Sequence, residues 1–286
     1  MDKIDAKTKV CALIGDPVEH SFSPLIHNAG FKKLGINFVY VAFQVKDIEN
    51  AIKGIKALNI QGASITIPHK IRAARYVDSL DEMAKKIGSI NTIVNKGGTL
   101  IGFNSDGMGA LKAFRDQKVD LNGKKVLILG SGGVARAITF ATVMNAKLKG
   151  LNILGILKEE IDDLVSDLRK VTEIEIKGAL LENEVLRESI SGSDILINCT
   201  PVGMYPKSDE SPVPAEFFKK ELIVFDVVYN PPQTRLLKEA EKSGCDTISG
   251  VEMFINQAVV QFELWTGKKA PESIMREVIL DHLAGN

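Results

Sequence analysis

The chain has 286 residues, and its 36 basic and 36 acidic side chains cancel, so nothing favours nucleic acid or an anionic membrane surface as a partner. Cys11, Cys199 and Cys245 are scattered and odd in number, which excludes a disulfide framework or a metal-ligand spacing and suits a reducing cytoplasm. No apolar run approaches the ~18 residues of a membrane span and no basic leader precedes an apolar segment, so a soluble protein of two domains, each with its own core, is expected.

Val10 to Ile14 is predicted as a short buried strand that ends at the turn Gly15-Asp16-Pro17. The run from Glu19 to Asn28, E-H-S-F-S-P-L-I-H-N, puts Pro24 in the first turn of a helix with Ser23 as its N-cap. Two readings of Ser21 and Ser23 stay open at this point. Either they cap the helix, or two hydroxyls and a helix N-terminus face a carboxylate with no charged side chain needed. His20 and His27 have no nucleophile or acid at useful spacing and read as structural.

Phe38 to Phe43 forms a second strand, Asp47 caps a helix to Leu58, and Ala63 to Ile67 forms a third strand leading into Pro68, His69 and Lys70. Strand, helix, strand implies a parallel α/β sheet in this half. Lys70 lies just past a strand's C-terminal end, where such sheets bind ligands, although solvated lysines are common. Glu82 to Ile87 is helical, and Gly88 to Asn95 runs into a strand with Asn91 and Thr92 at its entrance. Gly97-Gly98 makes a hairpin turn, and Leu100 to Phe103 leads to N-S-D-G, where Asp106 would by default cap the next helix.

The stretch from Lys124 to Arg136 organises the rest. Val126 to Leu129 is a continuous apolar run, suited to a parallel strand buried on both faces. Gly130, Gly132 and Gly133 follow, and Ala135 opens a helical pattern through Ile138, Ala141 and Met144. Strand, glycine turn and helix give G-x-G-x-x-A its meaning as a dinucleotide site, with a tight structural turn as the plainer alternative. Gly130 permits the turn, Gly132 lets backbone approach a pyrophosphate, and the helix N-terminus favours phosphate. About 120 residues precede this turn, so they form a domain of their own.

Leu151 to Ile156 is the next strand. An acid at its end would bind a ribose 2′-OH and an arginine a 2′-phosphate. The chain instead reads G-I-L-K-E-E, Gly155 to Glu160, with Lys158 and Glu159 just beyond. A helix over 160–171, strands near 174–176 and at 194–198, the loop C-T-P-V-G-M from Cys199, and a strand over 222–228 continue the alternation. A helix over 233–243, a short strand over 247–249, a long helix over 251–265 carrying Gln257 and a last helix over 271–283 complete the chain. The C-terminal helices are expected to cross back and cover the first domain.

The segments H-S-F-S-P-L-I-H-N, I-T-I-P-H-K, G-S-I-N-T, N-S-D-G, G-S-G-G-V-A-R, T-P-V-G-M and G-V-E-M-F-I-N-Q together resemble the shikimate dehydrogenase family over almost the whole chain. The resemblance implies an N-terminal α/β substrate domain over 1–108, completed by helices of 250–286, and a Rossmann-type doubly wound domain over 109–249. In that family the active site lies in the interdomain cleft. The reaction implied is reduction of 3-dehydroshikimate to shikimate with NADPH, in chorismate and aromatic amino-acid biosynthesis. Ser21 and Ser23 would hold the substrate carboxylate. Thr66, Asn91, Asp106 and Gln257 would bind ring hydroxyls, Tyr229 would add a contact, and Lys70 would be the acid/base with Asp106 orienting it. Gly130, Ser131, Gly132, Gly133, Val134, Gly250 and the backbone near Val227 would border the cofactor.

The departure from the family pattern is at the ribose. Asn-Arg-Thr is usual after the second nucleotide strand, and Gly155-Ile156-Leu157 stands there instead. NADP is the expected cofactor, with Lys158 left as a cationic partner for its 2′-phosphate and NAD the alternative. No metal, nucleic acid or membrane is called for, and a monomer or homodimer is expected. Two other functions fit the same motifs: an NAD-dependent quinate/shikimate dehydrogenase, and a ligand-binding sensor without catalysis.

Overall fold

Residues 4–284 are described by a computed structural model. They fall into two units, one running through Ser105 and resuming at Gln257, the other comprising Asp106–Asn256.

The first unit contains β1 (Lys9–Gly15), α1 (Ser23–Lys33), β2 (Phe38–Gln44), α2 (Ile48–Ala57), β3 (Gly62–Ile65), α3 (Lys70–Ala73), β4 (Ser79–Leu80), α4 (Glu82–Ile87), β5 (Thr92–Lys96) and β6 (Thr99–Phe103). Its sheet runs β2-β1-β3-β5-β6-β4. The parallel pairing expected here runs through β2, β1 and β3 and recurs between β4 and β6, while β5 pairs antiparallel with both β3 and β6. For β5 and β6 the cause is local. Gly97 and Gly98 adopt φ of 60° and 91°, a turn that returns the chain directly alongside itself. On α2, Ile48, Ile52 and Ile55 recur at helical spacing and are all buried, while Asp47 accepts a hydrogen bond from the Asn50 N–H at 3.2 Å and caps the helix as expected.

The second unit contains α5 (Asp106–Asp116), β7 (Lys125–Leu129), α6 (Gly133–Asn145), β8 (Gly150–Gly155), α7 (Lys158–Leu168), β9 (Ile176–Leu180), α8 (Asn183–Ser191), β10 (Ile195–Asn198), a short 3₁₀ turn at Ala215–Phe217, β11 (Ile223–Asp226), α9 (Arg235–Lys242) and β12 (Asp246–Ile248). Its six strands are all parallel, in the order β12-β11-β10-β7-β8-β9. This is the doubly wound order of a dinucleotide-binding fold, with the switch point between β7 and β10. Val126, Leu127, Ile128 and Leu129 are essentially inaccessible, as a strand covered on both faces must be. α5 lies close on α6: a Cβ on Gly107 would sit 2.6 Å from both the Ala137 carbonyl oxygen and the Ala141 Cβ.

α10 (Gly250–Thr266) begins in the second unit and continues in the first from Gln257, followed there by α11 (Glu272–Ala284). Trp265 anchors it in the first unit. Its indole N–H donates to the Ile93 carbonyl at 3.0 Å, and a Cβ on Gly62 would stand 2.2 Å from the ring. Among the described residues no helix is long and apolar enough to cross a membrane.

Candidate active site

In the first unit Thr66, Lys70 and Asn91 come together where β1 and β3 end. The two strands are parallel neighbours, so the chain leaves both at one edge. The Thr66 N–H bonds the Ile14 carbonyl at 2.9 Å and the Asp16 N–H bonds the Ile67 carbonyl at 2.9 Å, which laces the two strand ends together. Gly15 makes this possible: a Cβ there would fall 2.2 Å from the Thr66 methyl group. Lys70 opens α3 two residues beyond the exposed Ile67-Pro68 pair, and the Ile90 N–H donates to its carbonyl at 2.9 Å. That bond ties the lysine's backbone directly to the segment carrying Asn91.

Asn91 is buried and fully engaged. Its amide nitrogen donates to Ser105 Oγ at 2.9 Å, and its oxygen accepts from Thr92 Oγ1 at 2.7 Å and the Ser105 N–H at 2.8 Å. Ser21 and Ser23 stand at the start of α1, where Ser21 Oγ lies 3.2 Å from Ser23 Oγ and accepts from the Ser23 N–H at 3.3 Å. Ser23 is therefore not the N-cap. The helix starts at Ser23 itself and Phe22 occupies the cap position without a side-chain cap bond, while Pro24 in the first turn has no N–H to leave unpaired. Gln257 lies one turn before Gln261 and two before Trp265 on α10, at the spacing of a common face.

The second unit holds the remaining candidates. Asp106 is buried and is the first residue of α5, directly after Ser105 in the chain. Gly130 adopts φ 104° with a Cβ position only 3.2 Å from the Cys199 carbonyl, which glycine alone tolerates comfortably. Gly132 is the cap residue of α6 with no side-chain cap bond, and a Cβ there would meet nothing within 4 Å. An open, glycine-lined helix N-terminus at the switch point fits a pyrophosphate. Gly133 and Val134 form the first turn of α6, and Val134 is half-buried. A Cβ on Gly250 would fall 2.6 Å from the Val227 carbonyl oxygen, so this glycine exists to admit the backbone that follows β11. Tyr229 stacks on Phe254 with ring centroids 4.3 Å apart. Lys158 is already in the first turn of α7, exposed, and paired with Asp162 one turn on.

Residues 13–93 match the model of the shikimate dehydrogenase substrate-binding domain, and residues 250–280 that of the shikimate 5′-dehydrogenase C-terminal domain. The shikimate dehydrogenase (NADP(+)) of Methanopyrus kandleri is 44% identical over 287 residues, covering 98% of each chain. The chain belongs to the shikimate dehydrogenase family. It is an oxidoreductase of that class. A crystal structure of a shikimate dehydrogenase in complex with NADP+ superposes with a TM-score of 0.89 at 40% identity, covering 98% of both chains. That of the Listeria monocytogenes shikimate 5-dehydrogenase, in complex with shikimate and NAD, gives 0.88 at 35% identity over 98% of this chain and 99% of that one.

Three features of these units escape a reading of the motifs. The first is a buried polar chain in the first unit: Tyr40 OH donates to Ser64 Oγ at 2.7 Å, Ser64 to Gln261 Oε1 at 2.8 Å, and Gln261 Nε2 to Thr92 Oγ1 at 3.0 Å and the Asn91 carbonyl at 3.2 Å. It reaches the Asn91 segment from behind. Beside it, His27 stacks on Tyr40 at 4.6 Å, and burial pushes its pKa down to about 3, so the ring is a neutral core aromatic. The i, i+4 relation of Gln257 and Gln261 was the one available sequence signal.

The second is Asp226 at the end of β11. Its carboxylate accepts from Asn198 Nδ2 at 2.9 Å, the Val228 N–H at 3.1 Å and Thr234 Oγ1 at 2.6 Å. Burial pushes its pKa up to about 6 despite these three donors, which pull the other way. Asn198 in turn accepts from the Thr200 N–H at 3.0 Å, so one buried acid holds the starts of both loops beyond β10 and β11. The third is Glu160, whose carboxylate accepts from Ser131 Oγ at 2.9 Å.

Proposed function

We propose that this protein reduces 3-dehydroshikimate to shikimate with NADPH, and runs the reverse oxidation with NADP+. The observation that carries the reading is the knot at the ends of β1 and β3, where Thr66, Lys70 and Asn91 are tied by backbone hydrogen bonds. A ring ketone bearing a carboxylate and hydroxyls needs this mix: neutral hydroxyl donors, amide and hydroxyl partners, and one cationic acid. Full-length similarity to relatives named shikimate dehydrogenase (NADP(+)) supports it further.

In this mechanism Ser21, Ser23 and the first amides of α1 hold the substrate carboxylate. Thr66, Asn91, Asp106 and Gln257 take the ring hydroxyls, and Tyr229 adds a contact. The glycine turn of Gly130, Ser131, Gly132, Gly133 and Val134 would hold the pyrophosphate of the cofactor, and Gly250 and the Val227 backbone would border it. When bound, the reduced nicotinamide supplies a hydride to the carbonyl carbon. As the carbonyl π pair moves onto oxygen, the Lys70 ammonium stabilises the developing charge and transfers one proton to it, which completes shikimate. The resulting amine regains its proton from solvent. The pathway served is aromatic amino-acid biosynthesis in the cytoplasm.

The test is a steady-state assay of the purified protein with shikimate or quinate, each with NADP+ or NAD+. Turnover of shikimate well above quinate is the expected result. Absence of turnover in all four mixtures would leave the ligand-binding sensor as the function.

A further inference from the structure

We infer that Glu160 is a specificity-determining residue of the dinucleotide site, favouring an unphosphorylated adenosine ribose and working against a 2′-phosphate. The inference rests on the dinucleotide reading above. Because β7 and β8 are parallel neighbours with Leu129 opposite Leu154, the chain after Gly155 lies beside the glycine turn. That is where such folds discriminate the ribose. Neither Ile156 nor Leu157 can do so, and both are exposed there as bare apolar side chains.

The acid comes from one turn further on. Gly155 leaves room for Ser131, since a Cβ at Gly155 would stand 3.1 Å from Ser131 Oγ. Ser131, buried in the turn, donates to Glu160 at 2.9 Å and so fixes a carboxylate at the rim of the glycine turn. A carboxylate accepts a hydrogen bond from a ribose 2′-OH and repels a 2′-phosphate.

Among the described residues, the basic side chains of α6 and α7 are paired with carboxylates. Lys158 pairs with Asp162. Arg136, on α6, pairs with Asp167 at 2.6 Å, and Lys170 pairs with the same carboxylate at 2.8 Å. Residues 158–163 contain one lysine against Glu159, Glu160, Asp162 and Asp163. The 2′ position therefore faces negative charge, and the protein accepts NAD alongside NADP.

Isothermal titration calorimetry of the full-length wild type and Glu160→Gln, with NADP+, NAD+, adenosine 2′,5′-bisphosphate and 5′-AMP, tests this. Glutamine keeps an oxygen for Ser131 but removes the charge. In Glu160→Gln the Kd for NADP+ and for the bisphosphate should fall about tenfold, the scale of one like-charge contact near a protein surface. The Kd for NAD+ and 5′-AMP should stay the same or rise. If both dinucleotides bind and their Kd ratio moves by less than about twofold, Glu160 is not the selector and the dinucleotide reading stands. If no nucleotide binds to wild type, the dinucleotide reading itself falls, and this inference with it.

Discussion

Replacing Gln261 with leucine probes the buried polar chain that backs Asn91. Gln261 is 1% exposed, and leucine fills a similar volume, so the change removes hydrogen bonds with little loss of packing. The Asn91 carbonyl keeps its bond from the Ile65 N–H, and Thr92 Oγ1 keeps its bond to Asn91 Oδ1. Ser64 fares worse. It still accepts from Tyr40, but its own hydroxyl hydrogen loses its acceptor inside the core. An orphaned buried donor costs ~1–3 kcal/mol, and two further neutral bonds are lost at ~0.5–1.5 kcal/mol each, offset in part by leucine's greater apolarity, for a net of ~2–4 kcal/mol. At this chain length that lowers Tm by roughly 5–15 °C. Thermal unfolding followed by circular dichroism measures it. The double variant with Ser64→Ala separates the hydrogen-bond effect from packing, since the pair should couple by ~1 kcal/mol or more. A Tm within about 2 °C of wild type, or strict additivity, refutes the account.

Lys70→Ala should lower kcat by ~10²-fold or more while weakening shikimate binding far less, and a variant that keeps over half its turnover removes Lys70 from the mechanism. Ile156→Arg should sharpen NADP over NAD in kcat/KM by roughly tenfold to a hundredfold with the KM for shikimate unchanged, because an arginine–phosphate fork is charge-assisted and bidentate; no change in that ratio would show that this loop does not meet the 2′-phosphate. His27 and Asp226, both buried, set opposite pH trends. His27, held down to about 3 from an ordinary 6.5, contributes stability that is intact above pH 6.5 and is lost as the pH falls toward 3. Asp226, pushed up to about 6 from 3.8, costs stability at neutral pH, and that cost is relieved as the pH falls from 6 toward 4. Urea unfolding at pH 7.5 and 5 should therefore show His27→Phe losing less stability on acidification than wild type and Asp226→Asn losing more; the reverse order would sink both assignments.

Much of the fold could be read because it is written in local chemistry. Val126 to Leu129 is too apolar to be anything but a buried strand, and Gly97-Gly98 permits only a tight return. The helix over 82–87 appears with the bounds its sequence suggests, capped by Asp81 and stopped by Gly88 at φ 71°. What stayed hidden was either weak or non-local. α8 has only Leu186 and Ile190 to bury and no side-chain cap, so its signal is faint. β4 is two residues long and exists only because β6 is there to pair with it. Strand, helix, strand fixes only β1 to β3 and Gly97-Gly98 only the β5–β6 hairpin, so the antiparallel pairing of β5 with β3 is what local sequence leaves open. The direction of β5 is fixed by its partners.

The same division runs through the candidate site. Its backbone elements could be read in advance: the glycine turn, the proline-started helix and the strand-end lysine each depend on residues adjacent in sequence. The partners of side chains could be read only when they lie on one helix. Lys158 and Asp162 are four apart on α7, so their pairing was available in advance. Ser131 and Glu160 are 29 residues apart, and only the register of β7 on β8 brings them together. Asn198 and Asp226, 28 apart, meet only because β10 and β11 end level with one another. In both cases a short polar side chain at the end of one parallel strand, or just beyond it, bonds a carboxylate supplied by the neighbouring strand or the helix after it. In a doubly wound sheet those ends surround the ligand crevice. Polar residues at or just after strand ends should therefore be paired across neighbouring strands before any one of them is assigned to a ligand.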